Sequence, residues 1–94
     1  MDDPTRLSSE EVADRVRALS EWRVENIRLV KDFSFEDFMG AIGFVNRVAE
    51  VAEAEGHHPD LEVGWGGVKV SLTTHSAGGL TENDFRVAAA IDRL

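Results

Sequence analysis

The chain has 94 residues, 43% of them hydrophobic, and a formal net charge of −8 at pH 7. This length predicts a single domain over residues 1–94 with one core, and the apolar content argues against disorder. The absence of cysteine excludes disulfides and thiol catalysis. The negative charge disfavours direct nucleic-acid binding, which depends on Lys and Arg neutralising phosphates. Because no signal-peptide pattern and no apolar run of about 20 residues is present, we expect a soluble, cytoplasmic protein without membrane contact.

Three stretches share one pattern for the start of a helix. In each, a Ser or Thr can cap the helix, an acidic residue three positions later can complete a capping box, and apolar residues flank the pair. The pairs are Ser8 with Glu11, Ser34 with Asp37, and Thr81 with Asp84. They predict helices from Ser8 to about Leu19, from Ser34 to a left-handed cap at Gly56, and from Thr81 to near the C-terminus.

The second predicted helix is the longest and carries apolar residues on more than one face. Its main stripe at helical spacing contains Phe38, Ala41, Ile42, Val45, Val48, Ala49 and Ala52. Phe44 and Val51 fall off this stripe. A surface helix with a second apolar face often buries that face against another subunit. We therefore expect self-association, with the alternative that the small domain wraps this helix more fully.

Two predicted hairpins separate the helices and define the fold class. Residues 22–25 and 27–33 alternate in polarity on either side of the turn residue Asn26, so they predict one hairpin. A second hairpin is predicted between the second and third helices. The order α-β-β-α-β-β-α with short turns predicts an α+β domain, in which a four-stranded antiparallel sheet has three helices packed on one face.

The second hairpin is centred on Gly66-Gly67, a pair that suits a two-residue type I′ turn. With this turn, Trp65 opposes Val68 on the core face, and His58 opposes His75 at the open end of the hairpin. Directly opposed residues have Cβ atoms about 5 Å apart. We therefore expect His58 and His75 to be neighbours, although a whole hairpin separates them along the chain.

All three histidines of the chain lie close to this hairpin: His57, His58 and His75. Since imidazole titrates near neutral pH, one ring could accept a proton while another donates one. A zinc site is the alternative, because three histidines with nearby carboxylates could supply ligands. Adjacent histidines on extended chain chelate poorly, however, and the sequence has no His-x-His or His-Glu-x-x-His spacing. The pattern therefore favours metal-free acid–base chemistry.

The stretch from Glu53 to Asp84 resembles the pterin-4a-carbinolamine dehydratase family. The family pattern is an acidic residue, His-His-Pro, an aromatic residue, a further His and then an Asp. The matching residues here, at matching spacing, are Glu53, His57-His58-Pro59, Trp65, His75 and Asp84. The aromatic is often tyrosine in this family, so tryptophan here leaves no hydroxyl and agrees with a packing role. Length and element order also match, and the resemblance covers nearly the whole chain.

The resemblance implies a dehydratase that converts 4a-hydroxytetrahydropterin to quinonoid dihydropterin and water, downstream of an aromatic amino-acid hydroxylase. It implies that His57, His58 and His75 supply the acid and the base, in an order that the sequence leaves open. No metal and no cofactor are implied, because the pterin is the substrate. The family also forms homodimers and homotetramers. The implied substrate-binding residues are Glu53, Gly56, Thr73, Thr74, Ser76 and Asp84.

Two alternative functions remain at this point. Members of the same family also act as non-catalytic dimerisation or assembly cofactors that bind a protein partner. Such a member would be expected to lose a catalytic histidine, whereas this chain keeps all three. A metal-dependent hydrolase is the second alternative, and bound zinc in the purified protein would support it.

Overall fold

A computed structural model describes residues 4–94, in which three helices alternate with two hairpins. The helices are α1 (Ser9–Arg17), α2 (Phe38–Glu55) and α3 (Glu82–Asp92), and the strands are β1 (Arg23–Glu25), β2 (Arg28–Ser34), β3 (Asp60–Gly64) and β4 (Gly67–Leu72). The sheet order is β1-β2-β4-β3, and all neighbouring strands are antiparallel. The predicted α+β order is therefore confirmed. Within residues 4–94, no helix is long and apolar enough to cross a membrane.

The core lies between the helices and one face of the sheet. Strand β4 shows this most clearly, because Val68, Val70 and Leu72 are buried while the residues between them are not. The intervening Lys69 lies near the carboxylates of Glu25 and Glu62 instead. The helices cover the apolar face with side chains from α2 (Ala41, Phe44, Val48 and Ala52) and α3 (Phe85, Val87, Ala88 and Ile91).

Helices α1 and α3 begin as the sequence predicts. Ser8 and Glu11 form a complete capping box at α1, and Thr81 and Asp84 form one at α3. In each box the hydroxyl and the carboxylate satisfy backbone N–H groups that have no partner within the helix. Helix α1 ends at Arg17, slightly before the predicted end.

Helix α2 begins later than predicted, so the proposed cap at Ser34 is wrong. Asp37 is the N-cap, and its carboxylate accepts a hydrogen bond of 2.7 Å from the backbone of Gly40. Ser34 instead ends β2, opposite Gly67 of β4, and the backbone N–H of the next residue, Phe35, donates to the carbonyl of Gly66 at 2.8 Å, which keeps the chain in the sheet past Ser34. The C-terminal prediction is confirmed, since Gly56 caps α2 in the left-handed conformation with φ of 67°.

The buried face of α2 differs from the predicted stripe. Phe44 is a core residue, and its ring centroid lies 4.6 Å from that of Phe33 and 5.1 Å from that of Phe35. Phe38, at the first turn of α2, is 50% exposed, and Met39 beside it is 75% exposed. The burial of Phe44 follows the alternative in which the small domain wraps this helix, so Phe44 does not indicate a subunit contact.

The hairpin of β3 and β4 turns at Trp65 and Gly66, and Gly67 already belongs to β4. The predicted turn at Gly66-Gly67 is therefore wrong by one position. Neither glycine has a positive φ. A Cβ at Gly66 would stand 3.2 Å from the carbonyl oxygen of Phe35, and one at Gly67 would stand 3.4 Å from that of Phe33. These glycines thus permit close approach to the chain of β2 rather than a left-handed turn.

The changed turn shifts the pairing of β3 with β4 by two residues. Each side chain stays on its predicted face of the sheet, but it lies opposite a different residue of the other strand. Trp65 loses its predicted place opposite Val68 and is 73% exposed in the turn, so the predicted packing role in the core is wrong. Strand β3 begins only at Asp60, and the chain beyond β4 enters a 3₁₀ turn at His75. The predicted cross-strand pair of His58 and His75 is consequently not formed.

Candidate active site

The predicted site residues lie where α2 ends, where β4 ends and where α3 begins. The left-handed cap at Gly56 redirects the chain, and the backbone N–H of the next residue, His57, donates to the carbonyl of Ala52 at 3.2 Å. His57 thus directly follows the end of α2. Its imidazole reaches Asp84 in the first turn of α3. This contact joins two elements that are distant in sequence.

Asp84 is fully buried and makes hydrogen bonds through both carboxylate oxygens. Its Oδ2 accepts from the backbone N–H of Thr81 at 2.9 Å and from the hydroxyl of Thr74 at 2.8 Å. Its Oδ1 lies 2.6 Å from Nε2 of His57. Since burial of an unpaired carboxylate is costly, these three contacts explain how Asp84 is accommodated in the interior.

These contacts also orient the imidazole of His57. Both partners of Oδ2 are donors, a pattern that suits a carboxylate. With Asp84 as a carboxylate, which has no proton to give, the proton shared with Oδ1 belongs to Nε2 of His57. In the neutral ring, Nδ1 then carries the lone pair. The side chain of His57 is 14% exposed, so the ring is largely held by the protein but still meets solvent. An imidazole oriented by a carboxylate is suited to accept a proton.

A second pair of imidazole and carboxylate lies at the surface. Nε2 of His58 is 2.8 Å from Oε1 of Glu53, which is near the end of α2. The side chains are 61% and 78% exposed, respectively. Solvent screens such a pair, and holding two mobile side chains together costs entropy, so this contact is weaker than that of His57.

His75 and Ser76 lie in the short turn after β4, and both are exposed. The turn is closed by a backbone bridge between Thr74 and Gly79 and ends at Gly78, which has a φ of 72°. The N–H of Gly78 donates to the carbonyl of His75 at 3.1 Å. His75 therefore follows directly after Thr74, the residue whose hydroxyl holds Asp84.

The two threonines at the end of β4 are buried, and their hydroxyls are already engaged. The hydroxyl of Thr73 donates to the carbonyl of Ile27 at 2.7 Å, whereas that of Thr74 contacts Asp84 and Thr81. The sequence indicated Thr81 only as a helix cap, and it gave no sign of the side-chain contact with Thr74. That contact depends on how the turn after β4 packs on α3, which local patterns do not report.

His57 and His58 each pair with a carboxylate rather than with another histidine. No hydrogen bond joins one imidazole to another within residues 4–94. In the same part of the chain, no group of three His, Asp or Glu side chains is placed to hold a metal ion. An open groove of about 1020 Å³ lies between α1 and β1, but none of the three histidines lines it.

Residues 5–94 match the family model described as pterin 4 alpha carbinolamine dehydratase. A protein of Chloroflexus aurantiacus with the name "putative pterin-4-alpha-carbinolamine dehydratase" is 48% identical over 89 residues, which is 95% of this chain and 96% of the relative. A protein of Nostoc sp. with the same name is 49% identical over 88 residues, which is 94% of this chain and 95% of the relative.

Solved structures show the same relationship. A crystal structure from Brucella melitensis, described as a transcriptional coactivator/pterin dehydratase, has a TM-score of 0.90 and 34% identity, and the match covers 95% of this chain and 97% of that one. A pterin dehydratase-like protein, described as a RuBisCO assembly factor in the alpha-carboxysome, has a TM-score of 0.65 and 26% identity over 79% of this chain and 88% of its own. The chain therefore belongs to the pterin-4-alpha-carbinolamine dehydratase family.

Proposed function

We propose that the protein dehydrates a 4a-hydroxytetrahydropterin to quinonoid dihydropterin and water. In this elimination the C4a–O bond breaks, the hydroxyl takes up a proton and leaves as water, N5 loses its proton, and the N5 electrons form the C4a=N5 bond. One proton acceptor and one proton donor are needed. Membership of the family supports this reaction, and the observation that carries it is the pairing of His57 with the buried carboxylate of Asp84.

In the proposed mechanism, His57 accepts the proton of N5. Asp84 holds Nε2, so Nδ1 is available to the substrate, and the carboxylate then stabilises the imidazolium that forms. The departing hydroxyl receives its proton from His58 or His75, both of which are exposed. A positioned acid or base of this kind typically contributes about 10²–10⁴-fold to the rate.

The proposed substrate site surrounds these histidines and comprises Glu53, Gly56, Thr73, Thr74, Ser76 and Asp84. Because the hydroxyls of Thr73 and Thr74 are engaged within the protein, we propose that this segment contacts the pterin ring mainly through its backbone. The pterin is the substrate in this proposal, and no separate cofactor takes part. We place the reaction in the cytoplasmic recycling of tetrahydropterin after an aromatic amino-acid hydroxylase.

The test is dehydration of freshly generated 4a-hydroxytetrahydropterin, followed by stopped-flow absorbance with EDTA present. We expect the wild type to accelerate the reaction and His57→Ala to lose about 10²–10⁴-fold in kcat. Asp14→Asn, a change on the exposed surface of α1, is the matched control and should keep the full rate. A well-folded wild type that leaves the rate unchanged would refute the proposal, and a wild type that is active only in a parallel assay without EDTA would point to a metal.

A second candidate function is the binding of a protein partner. Phe38 and Met39 expose large apolar side chains at the start of α2, and exposed apolar residues of this size are common at contact surfaces. Two structural neighbours are described as a coactivator and as an assembly factor. We also propose that the protein associates with itself as a homodimer or homotetramer. Absence of dehydratase activity together with capture of a defined partner would favour this candidate.

A further inference from the structure

A chain of buried hydrogen bonds lies beneath the imidazole of His57. The hydroxyls of Thr74 and Thr81 are 2.9 Å apart, and the hydroxyl of Thr74 is 2.8 Å from Oδ2 of Asp84. Thr74 is 5% exposed, and Thr81 and Asp84 are fully buried. The other carboxylate oxygen of Asp84 meets His57. The start of α3 is therefore connected to the ring that the proposed mechanism uses.

The number of protons available on each group determines which group donates in each of these hydrogen bonds. A carboxylate has no proton to give, so the hydroxyl of Thr74 must donate to Asp84. That hydroxyl has only one proton, and therefore the contact between the two threonines requires Thr81 to donate to Thr74. Thr81 can do so because its contact with the backbone N–H of Asn83, at 3.2 Å, uses a lone pair and leaves the hydroxyl proton available. The hydrogen bonds therefore run in one direction, from Thr81 to Thr74 and from Thr74 to the carboxylate of Asp84.

We propose that Thr74 and Thr81 are positioning residues for His57. With Oδ2 held by the Thr74 hydroxyl and the Thr81 N–H, the plane of the Asp84 carboxylate is fixed, and Oδ1 is reserved for Nε2 of His57. Such networks are most effective when every member is satisfied, and no buried side-chain polar atom in residues 4–94 lacks a partner. The catalytic consequence rests on the proposed dehydratase function, but the positioning itself does not.

The decisive variant is Thr74→Val, which removes the hydroxyl and keeps the shape of the side chain. We expect kcat to fall by up to about 100-fold with little change in KM, because misplacement of a reacting group acts on the chemical step. Thr74→Ser restores the hydroxyl and should recover most of the rate. Ile91→Val serves as the stability control, since Ile91 is buried in α3 outside the network, and it should lower the Tm without loss of kcat.

A second readout is the proton on Nε2 of His57, observed by NMR in the protein without substrate and assigned by its absence in His57→Gln. Its bond to a carboxylate should place this resonance far downfield of the backbone amides in the wild type and in Thr74→Ser. It should shift strongly or disappear in Thr74→Val. An unchanged resonance or an unchanged kcat in Thr74→Val would overturn the proposal. If the resonance behaves as expected while the wild type shows no dehydration, the dehydratase function fails and the positioning role stands.

Discussion

Asp84 connects the stability of α3 with the geometry of the site. One carboxylate oxygen completes the capping box of α3 and also accepts from Thr74, and the other meets His57. The cap was readable in the sequence because it lies within four residues, Thr81 to Asp84. The contact with His57 crosses 27 positions, and the sequence suggested Asp84 as a site residue only through the family resemblance.

Asp84→Asn should cost both stability and rate. The amide has the shape of the carboxylate, but its NH₂ group must face either His57 or the two donors at Oδ2. Facing His57, the NH₂ group donates to Nε2 and forces the neutral ring into the tautomer with its proton on Nδ1, which removes the proposed proton acceptor and lowers kcat. Loss of the charged acceptor also weakens the bonds from Thr74 and Thr81, which should cost about 1–3 kcal/mol in the free energy of unfolding, measured by urea denaturation.

Asp60→Asn is the control, because the carboxylate of Asp60 is exposed and pairs with Arg28, and we expect a loss below about 1 kcal/mol. Equal losses in the two variants would contradict this account.

At the scale of the elements, local patterns predicted the helix starts at Ser8 and Thr81, but not that of α2. A capping box is a contact within four residues, so its sequence pattern carries most of the information. Ser34 matches the same pattern, yet it ends β2 opposite Gly67, and the backbone N–H of the following Phe35 donates to the carbonyl of Gly66. Asp37 therefore becomes the cap. Pairing between strands that are distant in sequence overrode a valid local signal.

The register of the second hairpin shows a different limit of sequence patterns. Turns at Trp65-Gly66 and at Gly66-Gly67 keep the same residues on the core face, because the two registers differ by two positions. Alternation of polarity cannot distinguish them. In the structure the two glycines lie close to the carbonyl groups of Phe33 and Phe35, which are outside the hairpin and so do not enter its sequence pattern.

Helix α1 offers a test of its capping box by pH. None of its residues is fully buried, although Val12 and Val16 pack against the core, so the cap should contribute to its order. The pKa of Glu11 is held below its ordinary value of 4.5, chiefly by the hydrogen bond from the backbone N–H of Ser8. A carboxyl group whose pKa is lower in the folded than in the unfolded chain stabilises the fold above its ordinary pKa, and this contribution disappears as the pH falls through the folded value.

We therefore expect hydrogen-exchange protection of the amides in α1 to decrease as the pH is lowered below the ordinary pKa of Glu11. Glu11→Gln should abolish this dependence, because glutamine can also complete a capping box but does not titrate in this range. The intrinsic rate of amide exchange also depends on pH. Each exchange rate must therefore be corrected for it, and Glu11→Gln measured at the same pH serves as the reference. If wild type and Glu11→Gln lose protection in parallel, the box does not control the order of α1.

At the scale of the whole molecule, the candidate site is a product of the global fold. It combines the end of α2, the end of β4 and the start of α3, and an ion pair of 2.6 Å between Arg86 and Glu55 joins α3 to α2 beside it. The family resemblance named residues that lie at this junction, and their role in the reaction stays a prediction. The hairpin argument nevertheless placed His58 beside His75, because it relied on a register that only tertiary contacts determine.

The outer face of α2 carries the last prediction, which concerns self-association. With Phe44 accounted for by the core, the exposed apolar side chains at the start of the helix are Phe38 and Met39. If these residues form a subunit contact, Met39→Glu should place a charge in an apolar interface and shift the protein toward monomer. Sedimentation equilibrium over a range of concentrations measures this shift, because assembly depends on protein concentration.

Ser20→Glu is the control for this experiment, since it adds the same charge at an exposed position outside α2 and should leave the assembly unchanged. A wild type that sediments as a monomer at every concentration would contradict self-association altogether. If the wild type assembles and Met39→Glu assembles equally well, the contact lies elsewhere. The edge of β3 would then be the surface to alter next, because within residues 4–94 β3 is hydrogen-bonded to β4 along one side only and an open strand edge can pair with another chain.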